Sequence, residues 1–207
     1  MATLGDMRTR IADELQIDES TQATEIDRAV FSAVRFYNDN DFWFLDTAPT
    51  TFTLSATSNY ALGTILPDRS QIKSISLHLT PGRTELRYRT LQEILDLDFD
   101  DAYTGVPLYW TIDNDTLIVH PVPNVTRTAE AYYSLRYSMT ASASASSVWT
   151  NEAEELIRLH AEVDILENRI KDYAEAMQKR GRLATVVAKL DEKTVAIRGL
   201  RRMKPFM

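Results

Sequence analysis

Apolar positions along this chain follow two different periods, and the change between them divides it. Near the start Leu4, Met7, Ile11 and Leu15 recur every three or four residues, the buried face of a short helix. Thr3 is placed to cap that helix, and Asp6 sits where its first turn favours negative charge. Polar residues 18–21 interrupt the pattern. A second helix follows over about residues 22–40, with Ile26, Val30, Ala33 and Tyr37 on one stripe and Phe31, Val34 and Phe36 widening it. So broad an apolar surface needs partners on more than one side. The longest helical pattern comes last: Leu156, Leu159, Val163, Leu166, Ile170, Tyr173 and Met177 alternate at three and four, the seam of a helix packing against helices. Beyond Gly181 the series Leu183, Val187, Leu190, Thr194 and Ile197 is helical again but one residue out of phase, which predicts a bend or an end near Gly181.

Between these ends the period shortens to two. Phe42, Trp43, Phe44 and Leu45 form an aromatic run at the junction, and residues 51–54 then alternate as a half-buried strand does. Ile75, Leu77 and Leu79 alternate with Ser74, Ser76 and His78, and Leu108, Trp110 and Ile112 with Tyr109 and Thr111. Ala131, Tyr133, Leu135 and Tyr137 do so with Glu130, Tyr132, Ser134 and Arg136. Asp113, Asn114 and Asp115 read as a tight turn into a strand at 116–120, after which Pro121 and Pro123 stop the ladder. A short helix is predicted at 91–97. Residues 141–147 are only Ala and Ser, the composition of a flexible connection. Asn151 with Glu154 then resembles a capping box that opens the last helix. The pattern predicts an α+β chain: a helical bundle from the N-terminal and C-terminal helices and a central antiparallel β-sandwich or partly open barrel. Its segments are an N-terminal helical pair (1–41), a β-sandwich-like domain (42–140), a small-residue linker (141–149), a long bundle helix (150–180) and a basic C-terminal docking arm (181–207).

Charge sharpens the reading of the arm. Residues 150–177 hold three Lys/Arg against eight Asp/Glu, net −5, whereas 178–207 hold nine against two, net +7. Since the whole chain is −7, the remainder outside 178–207 is −14, too acidic for general duplex binding. Arg198, Arg201, Arg202, Lys204 and Phe206 are the candidate docking residues of the arm, with Met203 and Met207 giving the basic cluster something apolar to bury.

Candidate chemistry is sparse. There is no cysteine, so disulfide, thiol and Cys-ligated metal chemistry are excluded. His78, His120 and His160 lie far apart with no metal-ligand spacing, and Asp96, Asp98, Asp100 and Asp101 lack the Gly and Glu of a calcium loop. The six glycines form no phosphate loop. No catalytic residue, metal site or cofactor is assigned, and the chain is read as a non-enzyme. The first twenty residues hold no apolar export core, and no apolar run approaches the ~18 residues of a membrane span.

Several stretches together resemble the head-to-tail adaptor (connector, tail tubular or gatekeeper-type ring) proteins of tailed bacteriophages. They are the leading Leu-Gly-Asp-Met-Arg-Thr-Arg-Ile-Ala-Asp-Glu-Leu helix, Ala33 to Tyr37 running into Phe42-Trp43-Phe44, the Phe52-Thr53 strand and Gly105 to Tyr109. His120-Pro121-Val122-Pro123, the Tyr133 to Tyr137 strand and the final helix complete the set. The resemblance implies a virion structural protein at the head–tail neck, made in the host cytoplasm. It implies twelve copies in a ring under the portal protein, with a C-terminal arm that reaches along the portal. The ring would extend the DNA channel without sequence-specific binding, and carry a tail nozzle or tail tube protein below. The alternative from the residues alone is a glycan-binding or glycan-hydrolysing β-sandwich virion protein, suggested by the carboxylates and by Tyr109 and Tyr132.

Overall fold

The computed structural model describes residues 2–97, 103–137 and 139–202, without the side chains of Ser70 and residues 200–202. The chain opens with α1 (Leu4–Leu15), α2 (Glu19–Tyr37) and a 3-10 turn at Trp43–Leu45. Then come β1 (Thr50–Leu54), β2 (Asn59–Ala61), α3 (Leu62–Ile65), β3 (Arg69–His78), β4 (Arg83–Tyr88) and α4 (Leu91–Leu97). Next are β5 (Thr104–Gly105), β6 (Tyr109–Asp113), β7 (Thr116–His120), β8 (Val122–Pro123) and β9 (Arg127–Leu135). The chain ends with α5 (Val148–Glu152), α6 (Glu154–Ile165), a π turn at Leu166–Ile170 and α7 (Tyr173–Arg202). The fold is α+β, as the change of period predicts.

These elements form two compact units, residues 1–45 with 136–207 and residues 46–135. The expected boundary at 41/42 therefore moves to 45/46. Phe42, Phe44 and Leu45 are buried in the helical core, where Phe42 stacks on Phe44 at 5.3 Å and Trp149 meets Phe44 edge-on at 5.1 Å. The far boundary moves from 140 to 135 for a similar reason. Tyr137 packs on the helical core, and its backbone N–H and C=O are both bonded to the Asn38 side chain.

In the helical unit α1 has the expected cap, with Thr3 and Asp6 satisfying each other's backbone N–H groups. Helix α2 starts earlier than predicted because Asp18 caps it through the Ser20 N–H. Its face Ile26, Val30, Ala33, Val34 and Tyr37 is buried, while Phe36 remains exposed. The segment of small residues lies on the start of α1. The carbonyls of Ala143 and Ala145 accept from the Gly5 and Leu4 N–H groups at 2.8 and 2.9 Å. Gly5 eases that approach, since a Cβ there would lie 3.0 Å from the Ala143 carbonyl oxygen, a tight contact that would push the segment back by a few tenths of an ångström. The following helix begins at Val148, not at the Asn151/Glu154 pair, because Ser147 and Thr150 form the capping box.

The β unit is one curled seven-stranded half-barrel, in the order β1-β9-β3-β4-β6-β7-β2, so of the two expected architectures the partly open barrel is the one found. Within this sheet the ladders are antiparallel except for β4 beside β6, and the separate two-stranded sheet of β5 and β8 is parallel as well. The β6–β7 hairpin turns through Asn114 and Asp115, both at positive φ, with Asp113 opposite Thr116. Pro121 and Pro123 do not end pairing altogether, because Val122–Pro123 pairs with Thr104–Gly105. Phe52, Leu54, Ile75, Leu77, Leu86, Trp110, Leu117 and Val119 form the core of this unit.

Candidate docking site at the C-terminal helical hairpin

The expected long bundle helix does not continue to residue 180. It ends in the π turn, and Lys171 takes a left-handed conformation with φ 65°. The backbone N–H groups of Lys171 and Asp172 both reach the Leu166 carbonyl. Helix α7 then starts with the Asp172 carboxylate accepting from the Glu175 N–H at 3.1 Å. From Gly181, where the break was expected, the helix runs on without interruption to Arg202. The bend lies ten residues earlier because folding back there lets the second apolar series reach the core: Leu183, Val187 and Leu190 all pack on it.

The contacts define an antiparallel hairpin. Lys179 and Arg180, early in α7, meet Glu162 and Glu167 at 2.8 and 2.7 Å, whereas Lys193, further along, lies 3.8 Å from Glu152, so α7 runs back along α6. The acidic-to-basic switch along the sequence is thus used within one chain. The seam splits accordingly. Leu156, Leu159, Val163 and Leu166 are buried, but Ile170, Tyr173 and Met177 are 42%, 62% and 68% exposed. They are not bundle-packing residues here, since Ile170 closes the π turn and Tyr173 and Met177 follow the left-handed Lys171.

At the centre of the hairpin is a buried charge cluster that the sequence pattern does not reveal. Glu162 is fully buried and Lys179 nearly so. Lys179 also reaches Glu14 on α1 at 3.0 Å, and Arg158 bonds Glu162 at 2.8 Å. Burial pushes the Lys179 ammonium down, but the hydrogen bonds to Glu162 and Glu14 outweigh it, leaving the group above its ordinary range. The hydrogen bond from Lys179 holds Glu14 below the usual carboxylate range despite some desolvation. The signal available was the i, i+4 pair Arg158/Glu162, which reads equally well as a solvated face.

Near the far end of α7, Lys193 sits 4.2 Å over the Trp43 ring, the Thr194 hydroxyl accepts from the Trp43 N–H, and Arg198 makes two bonds to Asp41 at 2.6 and 2.8 Å. Arg198, a candidate docking residue, is therefore engaged by its own bundle. Arg201 and Arg202 end α7, with side chains outside the described residues, as are Lys204 and Phe206 altogether. The structure does not bring these candidates together as one described site.

Beside the hairpin a groove of about 490 Å³ opens along α2, α6 and α7, lined by Phe36, Tyr37, His160, Val163, Leu183 and Val187. Burial pushes the His160 imidazole below its ordinary range, and its Nδ1 lies 3.3 Å from the Tyr37 hydroxyl. In the β unit His78 and Arg83 both bind the buried Glu130, while His120 is buried on β7, so the histidines stay apart. Among the described residues no cluster of His, Asp and Glu could hold a metal ion, and no described helix is long and apolar enough to cross a membrane. Asp96 accepts from Gln92; Asp98, Asp100 and Asp101 lie outside the described residues. Tyr109 is half-buried with Arg89 over its ring at 5.4 Å, and Tyr132 lies on β9, separated from it by β3 and β4.

The chain thus has two cores, one of an N-terminal helical pair closed by a C-terminal hairpin and one of a half-barrel. Residues 2–201 match the family described as SU10 adaptor protein, and the chain belongs to that family. It is a phage head–tail adaptor, a virion component near the head–tail junction. No curated protein matches the chain.

Proposed function

We propose that the protein closes into a ring, of twelve copies by the family resemblance, between the portal protein and a tail nozzle or tail tube protein. In that ring it extends the DNA channel and serves as the platform on which the tail docks during assembly and through which the genome leaves. The observation that carries this reading is the family match over residues 2–201. The two separate units support it, since an adaptor must offer distinct faces to a partner above and a partner below. The helical unit is assigned to the portal and residues 199–207 to the contact itself, because Arg198 is already paired while Arg201, Arg202, Lys204 and Phe206 follow it. The net charge of −7 suits a channel past which DNA slides, because an acidic wall does not hold phosphates.

Deleting residues 199–207 tests the assignment. The shortened chain keeps its helical circular dichroism and no longer co-sediments with purified portal rings. Unchanged co-sedimentation moves the portal site elsewhere. Electron microscopy of the bound complex counts the copies.

A further inference from the structure

The seam from Leu156 to Met177 keeps its three-and-four spacing straight across the bend at Lys171. The hairpin does not use that continuity, because the first four members are buried and the last three are exposed. A straight helix would put all seven on one line. The hinge itself contains neither Gly nor Pro: Lys171 suits a helix interior, Asp172 is only mildly disfavoured in one, and Lys171 holds a left-handed conformation that a side chain disfavours. Helix α7 is also attached in a way that can be undone. Among its described side chains the buried ones are Ala176, Lys179 and Thr194, whereas Leu183, Val187 and Leu190 are only half-buried. Much of its hold is ionic, through Lys179, Arg180, Lys193 and Arg198.

We propose that α6 and α7 interconvert between this hairpin and one straight helix from Glu154 to Arg202, and that in the straight form α7 packs on the bundle of a second copy. A helix of that length spans about 73 Å at 1.5 Å per residue. The second copy is the occupant because its bundle offers the partners α7 has just left: Glu14 and Glu162 for Lys179, Asp41 for Arg198, and the core edge for Leu183, Val187 and Leu190. Exchange of an identical element re-forms every contact at little cost. Each vacated site then receives α7 from another copy, a head-to-tail contact that closes into a ring when the rotation allows. For its biological use the inference rests on the ring reading above; the hinge does not.

The chain has no cysteine, so spin labels can be placed cleanly at exposed positions with Glu155→Cys and Lys189→Cys. Across the hairpin these positions lie on helices packed about 10 Å apart. In a straight helix their 34-residue separation becomes about 51 Å. Two hinge variants bias the equilibrium. Asp172→Ala removes the cap of α7, and Lys171→Gly removes the strain that favours opening. With labelled chains diluted in unlabelled ones, Asp172→Ala is expected to give the long distance and to sediment as oligomers. Mixing singly labelled chains is expected to give the short distance between copies. Lys171→Gly is expected to keep the short distance within one chain and to sediment as a single copy. Only the short intrachain distance in Asp172→Ala overturns the hinge, and a long one without the short distance between copies overturns the exchange. Should Asp172→Ala not fold, the doubly labelled parent chain assembled on portal rings decides: a short intrachain distance there overturns the proposal. Oligomers that exchange α7 but form no ring count against the ring reading and not against the hinge.

Discussion

Lys179 is the side chain on which the hairpin depends most, because it is buried and answers two carboxylates from different helices. Removing one member of a buried ion pair typically costs ~3–5 kcal/mol, since the other is left uncompensated. Here Glu162 keeps Arg158 at 2.8 Å, so Lys179→Met is expected to cost less, about 2–3 kcal/mol, read as a lower urea midpoint. Adding Glu162→Gln should recover part of that loss; a double variant whose loss equals the sum of the two singles would mean the pair is not coupled. His160 makes a second test at this scale. Its ring faces Phe36, Tyr37, Asp164 and Arg180, and burial lowers its pKa below the ordinary 6.5. A group that protonates more readily when unfolded favours unfolding as the pH falls. Its contribution is thus fully present above 6.5 and lost as the pH drops from there through the folded value. Urea midpoints measured across that window should fall more for the parent chain than for His160→Gln, and equal slopes would assign the pH dependence to other groups.

At the scale of elements, what the sequence made legible follows from whether a local signal met its partner. The Thr3 box, the short helix at Leu91–Leu97 and the Asn114–Asp115 turn each rest on a few adjacent residues, and each stands where it was expected. The bend at Lys171 was not legible, because neither Lys171 nor Asp172 is a breaker and the apolar phase continues through them. Gly181 looked like the break, yet one glycine inside a long helix costs only ~1 kcal/mol and is tolerated. The Ala-Ser segment misled for a related reason. Small side chains suit a loose linker, but they also let two backbones meet, and the second use depends on Gly5, more than a hundred residues away. Gly5→Val should therefore separate the Ala143 and Ala145 carbonyls from α1. The expected readout is faster hydrogen exchange at the amides of positions 4 and 5 with the α6 amides unchanged; protection equal to the parent chain would show that the segment gives way around the new side chain.

For the whole molecule, the division into units gives a prediction that joins fold to function. The β unit begins and ends on neighbouring positions, since Asp46 is bridged to Ser134 and Thr47 donates to the Tyr133 carbonyl. Each unit has its own core, one built on Leu4, Ile26, Phe42 and Trp149 and the other on Leu54, Ile75, Trp110 and Leu117. A unit of this kind can be exchanged for a short loop if its neighbour keeps its buried apolar surface. Replacing residues 46–135 with a few Gly and Ser is expected to leave a helical protein that melts cooperatively, because the removed residues supply none of the helical core. The converse piece, residues 46–135 alone, should fold as a β protein. If the helical unit carries the portal contact, the shortened chain still binds portal rings but no longer recruits the tail protein. Binding lost along with the β unit, in a chain that still melts cooperatively, would place the portal contact on the half-barrel and return the hairpin to a purely structural role.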